Sequence, residues 1–214
     1  MVIYNPTPLD DTPVDAETAK SITSNWAYDH AADLDAHILN IGQITKVGSY
    51  YCGLPSIGAN TRNADANYLF MRFLWIPRDM TFDRIGVEIT TAAGVGELAR
   101  LGLYNVNQTT FAPGTVLLDA GTIAIDATGL IAATINQQLT KGWWATAYFA
   151  NGTAALRLNM PAWSPYGYTT TYKLLTPISE LYKSLAYAAL PDTPTGLSED
   201  YGHGDVVLRV SSLD

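Results

Sequence analysis

Cysteine is almost absent: the 214-residue chain has one, Cys52, so no disulfide can form within it. Histidine is scarce too, at three residues, and no His/Cys grouping shows zinc-ligand spacing. Charged residues make up 15% against roughly a quarter in an average globular protein, while apolar and aromatic residues reach 48%, which excludes a disordered chain. Positive charge is the scarcer sign: 12 Lys and Arg against 20 Asp and Glu leave −8, with an isoelectric point near 4.7. A nucleic-acid binder needs a basic footprint, so DNA and RNA are not expected partners. Long apolar runs are missing as well. The stretch from Tyr68 to Pro77 contains Arg72 and is about half the ~20 residues a bilayer requires, so no membrane span is expected. The first residues, Met1 to Pro8, have neither a basic nor an apolar signal region, and synthesis in the cytoplasm is expected. At 23.2 kDa the chain can bury a core without metals or disulfides.

What is present changes along the chain. Pro6, Pro8 and Pro13, with Asp10, Asp11 and Thr12, favour an extended arm over residues 1 to about 14. Residues 15–20 suit one helical turn, and Thr23 or Ser24 can cap a short helix running to about Leu39, ended by Gly42. Within it Trp26, Ala27, Ala31, Leu34 and Ile38 recur at steps of three and four. Beyond Gly42, β-branched and aromatic runs alternate with Gly, Asn, Asp and Pro, which predicts strands near 46–54, 67–76, 82–91, 97–105, 115–125, 130–137, 143–149, 154–159, 182–190 and 206–210. Ile85, Val87 and Ile89 share one face of a strand, opposite Arg84, Gly86 and Glu88, so one face is expected to be buried. Leu101 and Leu103, against Gly102 and Tyr104, and the run Ala155 to Leu158 repeat that pattern. Asn151-Gly152 between two strands suits a two-residue type I′ hairpin. That tripeptide with Thr153, and Asn107-Gln108-Thr109, match the N-glycosylation pattern, but without a signal region they read as turns. Residues 160–172 are too rich in Pro and aromatics for a strand and are expected to form an exposed, ordered loop.

The densest ionisable group is Asp29, His30, Asp33, Asp35 and His37. On a helix His30, Asp33 and His37 share a face, where they could hold a metal ion, line a seam between copies together with Trp26, or simply be a solvated surface. A two-histidine zinc site has a tighter motif than this one, so no metal or other cofactor is expected. No pair of carboxylates has the spacing of a glycosidase: Glu88 falls on an outward strand face, Glu97 at a strand start, and Glu180 and Glu199 in loop-like segments. There is no nucleophile elbow; Gly94-Val95-Gly96 lies between strands with no helix after it to make a phosphate loop, and His203 sits in a glycine-rich turn. Cys52 reads as a packed small residue rather than a nucleophile. No enzymatic activity is expected. The remaining signal is aromatic, with 13 Tyr and 5 Trp. Adjacent Trp143 and Trp144 must point to opposite faces of a strand, so one is expected outward, and Trp163, Tyr166, Tyr168 and Tyr172 crowd one loop. Exposed rings of this kind stack on sugars or on apolar protein surfaces.

Two regions resemble virion surface proteins of tailed bacteriophages. The first is Lys20-Ser21-Ile22 followed by Thr23-Ser24-Asn25-Trp26-Ala27-Tyr28-Asp29-His30-Ala31-Ala32-Asp33-Leu34-Asp35-Ala36-His37. The second comprises Leu74-Trp75-Ile76-Pro77, residues 82–91, Ala99-Arg100-Leu101-Gly102-Leu103-Tyr104-Asn105, residues 113–122 and Leu139-Thr140-Lys141-Gly142-Trp143-Trp144. Together they span about two-thirds of the chain. The resemblance implies a structural virion protein, usually homotrimeric, attached to capsid or tail by its N-terminal part and exposing a β-module to the host surface. The long repetitive shaft of a full fibre is missing, and no catalytic residues carry over.

The expectation is therefore a mainly β protein, an antiparallel and jelly-roll-like β-sandwich over 44–214, preceded by an arm and helix over 1–43. Trp26, His30, Asp33 and His37 are the candidate trimer or attachment contacts, and Trp143, Trp163, Tyr166, Tyr168 and Tyr172 the candidate recognition surface for a host glycan or protein. Two other roles stay open: a capsid decoration protein that stabilises the shell, and a small glycan-cleaving or carbohydrate-binding module.

Overall fold

In the computed structural model the described residues are 46–52, 56–161, 180–200, 202 and 204–213. The chain divides into two units, Met1–Ile44 and Thr45–Asp214, and all described residues belong to the second. The expected arm and helix lie outside them.

The described residues carry twelve strands and no helix: β1 Tyr50–Tyr51, β2 Ser56–Ala64, β3 Tyr68–Ile76, β4 Met80–Thr91, β5 Leu98–Val106, β6 Pro113–Ala124, β7 Gly129–Leu139, β8 Gly142–Ala150, β9 Ala154–Pro161, β10 Glu180–Ser184, β11 Ser198–Asp200 and β12 Val206–Leu213. They form two antiparallel six-stranded sheets. The first runs β1-β12-β4-β9-β2, with β7 also on β4; the second runs β11-β10-β3-β8-β5-β6. Val87 of β4 pairs with both Val206 and Ile131, and Ile89 with both Leu156 and Gly129. A strand has two edges, so β7 occupies one edge of β4 while β12 and then β9 share the other. The first sheet therefore forks: one branch continues from β12 to β1, the other from β9 to β2.

Alternation decides which side chains meet. Ile85, Val87 and Ile89 of β4 and Leu208 and Val210 of β12 join Phe70, Leu74 and Ile76 of β3 and Leu101 and Leu103 of β5 in one hydrophobic cluster drawn from both sheets. Glu88 faces out, paired with Arg157 at 3.3 Å. In the second sheet the expectation of a single buried face fails. Leu69, Met71, Phe73, Tyr104, Ala145, Ala147 and Phe149 form a second cluster on its other face with Leu181 and Leu190. That is why β3 reads Tyr-Leu-Phe-Met-Arg-Phe-Leu-Trp-Ile with no polar alternation.

The cover for this second face comes from residues 185–197, where a strand was expected through Leu190. Only Glu180–Ser184 is strand. Pro191 and Pro194 cannot donate to a ladder, and the chain runs as a strap held by its carbonyls: Tyr104 Oη donates to Pro191 O at 2.8 Å and Val116 N to Asp192 O at 2.8 Å. Leu190 rests on Gly102, where a Cβ would come within 2.2 Å of Leu190 Cδ1 and 2.6 Å of Leu118 O, so only glycine lets the strap seat.

Two further expectations are corrected. Asn151-Gly152 is not a type I′ hairpin: β8 pairs with β3 and β5, β9 with β2 and β4, and neither residue has positive φ. The turn instead crosses between sheets, with Leu98 N donating to Asn151 Oδ1 at 2.7 Å. Of the first expected strand, near 46–54, residues 46–52 are described, and among these only Tyr50–Tyr51 is strand. The polar run Ser56–Ala64 is strand instead, drawn into pairing by β9. The Gly94-Val95-Gly96 segment does join two strands, β4 and β5.

Candidate functional site

The fork in the first sheet is where ionisable groups converge. When β12 and β9 part, backbone groups leave their ladders and need other partners. The branches first touch closely: Asp205 N donates to Arg157 O at 2.9 Å, and a Cβ on Gly204 would meet Leu156 Cβ at 2.5 Å. Past that point Asn159 N donates to Asp205 Oδ2 at 2.6 Å, so a carboxylate takes over from the missing strand. Asn159 Nδ2 donates to the same oxygen at 2.6 Å and to Cys52 Sγ at 3.7 Å.

From the second sheet, Arg72 sits on the β3 face between Phe70 and Leu74, pointing toward the fork. Its Nη1 lies 2.6 Å from Asp205 Oδ1 and its Nη2 donates to Asn159 O at 2.5 Å. Both charged residues are buried, at 5% and 3% exposure. The pairing Glu180↔Arg72 puts Glu180, 1% exposed, on the same face of the second sheet. Glu180 was expected in a loop; it is a buried strand residue. Tyr51 Oη donates to Trp75 O at 2.7 Å, a further link from the first sheet to the second.

Burial sets the electrostatics. It pushes the Asp205 carboxyl above its usual range, against the opposing pull of Arg72 and the Asn159 hydrogen bonds. It pushes the Cys52 thiol up to about 11, helped by the negative charge of Asp205. The thiol is thus protonated near neutrality and poorly nucleophilic. Burial also raises Tyr51 well above the ordinary phenol range. The cluster links the two sheets through the Arg72–Asp205 ion pair and the Arg72 and Asn159 hydrogen bonds, while Arg72 Nε has no hydrogen-bond partner among the described residues.

Its position gives it reach. Cys52 precedes residues 53–55, Asp205 follows 201–203, and the segment 162–179 is bracketed by Pro161 at the end of β9 and Glu180 opposite Arg72. The segments carrying Trp163, Tyr166, Tyr168, Tyr172 and His203 therefore start or finish at the fork, although these residues lie outside the described ones. So do Trp26, His30, Asp33 and His37. Among the described residues no three His, Cys, Asp or Glu side chains converge to hold a metal ion.

Trp143 is described. It and Trp144 point to opposite faces of β8, as expected, but both are half-buried. Trp144 packs on the cluster between the sheets and donates from Nε1 to Thr140 O at 2.9 Å. Trp143 packs against Trp75 and Phe111, with ring centroids 5.2 and 5.4 Å away. Trp143 thus lies on the face of the second sheet away from the inter-sheet cluster, partly exposed, with Phe111 packed against it. Arg72, Asp205 and Asn159 were not singled out from the sequence. The one available signal was Arg72 itself, a lone charge inside an otherwise apolar strand.

No family model matches the chain, and no curated protein sequence is similar to it.

Proposed function

We propose that this chain is a non-enzymatic structural protein of a tailed-bacteriophage virion. In this reading it is a short homotrimeric fibre or knob whose residues 44–214 form a jelly-roll-like antiparallel sandwich for adhesion to a host glycan or protein. The observation that carries the adhesive part is the fork: buried charges tie two sheets together where the aromatic segment 162–179 leaves β9 and returns at Glu180. Binding surfaces are commonly loops set on a rigid scaffold, and this scaffold is braced at the loop's own roots. The virion part rests on the resemblance, whose second region lies on β3, β4, β5, β6 and the start of β8, in both sheets. A buried Asp205 held by Arg72 and Asn159, and a protonated Cys52, favour holding over catalysis.

The test is mass spectrometry of purified particles together with adsorption to host cells. The chain should be found in particles, and the W163A/Y166A/Y168A variant should still incorporate but adsorb poorly. Particles without the chain would overturn the virion reading. Unchanged adsorption accompanied by lower particle heat resistance on removing the chain would move the role to capsid decoration. Release of reducing ends from host polysaccharide would refute the non-enzymatic assignment.

A further inference from the structure

Edge strands normally carry devices against unwanted pairing, such as charge, proline or short length. Four of the five edges here do. β1 is two residues long, β2 contains Arg62, β6 begins with Pro113 and carries Asp119, and β11 holds Glu199 and Asp200. β7 differs. It spans 11 residues, Gly-Leu-Ile-Ala-Ala-Thr-Ile-Asn-Gln-Gln-Leu, without one ionisable group or proline. Among the described residues it pairs with β4 alone, and from Gly129 to Thr134 that ladder runs without a register shift. Its inward row, Ile131, Ala133 and Ile135, packs on the core cluster but is only partly buried, and Leu130 on the other face is 47% exposed. The core thus remains open along this side.

We propose that β7 is a self-association edge, through which two copies pair antiparallel about a two-fold axis at Ala132. The occupant follows from charge and pattern. A strand without charge offers nothing specific to an ionic partner, whereas a chain of net charge −8 repels its own copies wherever acidic groups face each other. At β7 neither copy brings charge to the contact. An antiparallel pair centred on Ala132 is self-complementary: Ile131 lies opposite Ala133 of the second copy and Leu130 opposite its Thr134, large against small on both faces. Pairing joins the two first sheets into one and shields the half-buried Ile131 and Ala133 from water. Long-range repulsion between acidic copies makes the association strengthen with added salt. This inference does not rest on the virion reading, since the paired residues, 130–134, lie outside the fork and the resemblance.

The test is the solution mass of the full chain by light scattering over a concentration series, at low and high salt. The mass should double as concentration rises, sooner at high salt, whether the dilute species is the single 23.2 kDa chain or the trimer of the proposed function. L130K/T134K, both on exposed side chains and facing each other across the pair, should halve that mass with an unchanged melting curve. Mixing it with L130E/T134E should restore the doubled mass by placing opposite charges across the pair. Hydrogen exchange on the unmodified chain reads the same contact without substitution: β7 amides should gain protection as concentration rises. A mass that does not change with concentration, an unchanged mass in L130K/T134K or concentration-independent β7 exchange would each overturn the proposal.

Discussion

Replacing Arg72 with methionine keeps much of the side-chain volume while removing the one cation paired with Asp205 among the described residues. Breaking a buried ion pair by deleting one partner costs about 3–5 kcal/mol, because the other charge stays buried without compensation. With roughly 2–4 °C per kcal/mol for a chain of this size, R72M should melt roughly 6–20 °C lower. The effect should also depend on pH with a definite sign. Burial already holds Asp205 above its ordinary 3.8, and Arg72 opposes that shift. Without Arg72 the folded value rises further. Native protein then binds the proton more tightly than the unfolded chain, so between 3.8 and the folded value stability falls as pH rises. The R72M penalty should therefore shrink on moving from about pH 7 to about pH 5. Urea unfolding of the full chain at both pH values measures this. The double variant R72M/D205L, which removes both members of the ion pair, should be less damaged than R72M alone. A penalty below about 1 kcal/mol at neutral pH, or one that grows on acidification, would refute the view that this pair braces the fork.

Two other perturbations probe the strap and the thiol. G102V should cost about 1–3 kcal/mol or more, since Leu118 O is backbone and cannot step aside, and chymotrypsin should then cut faster at Tyr187; an unchanged melt and digest would remove the strap from the core. Cys52, with its thiol pushed up to about 11, should react slowly with a disulfide reagent at about pH 8 and rapidly once the chain is unfolded in urea, whereas fast labelling of native protein would contradict its burial.

Much of the strand content was legible because period-two alternation reports directly on a sheet with one wet face. Ile85, Val87 and Ile89 against Glu88 is such a case, and β4 appears where expected. The pattern misled where the environment departed from that premise. Leu190 has the neighbours of a strand residue but belongs to a strap, because the face it covers lies far away in sequence, on β3, β5 and β8. Asn151-Gly152 has hairpin chemistry, yet its flanking strands find partners in different sheets. Ser56–Ala64 has little intrinsic strand preference and is strand because β9 offers it a ladder. At the candidate site the aromatic segment was visible as composition. The cluster beneath it was not, since Asn159 and Asp205 are ordinary in their local sequence and Arg72, though a lone charge in an apolar strand, names no partner.

By itself, the sequence determined a folded, acidic, disulfide-free chain rich in antiparallel strand, because composition and alternation act locally on every residue. Only the tertiary structure decided that the first sheet forks, that the second is buried on both faces and that one charge-free strand is left at an edge. Those features depend on which distant strands meet, and a buried charge becomes tolerable only when a residue remote in sequence arrives to satisfy it.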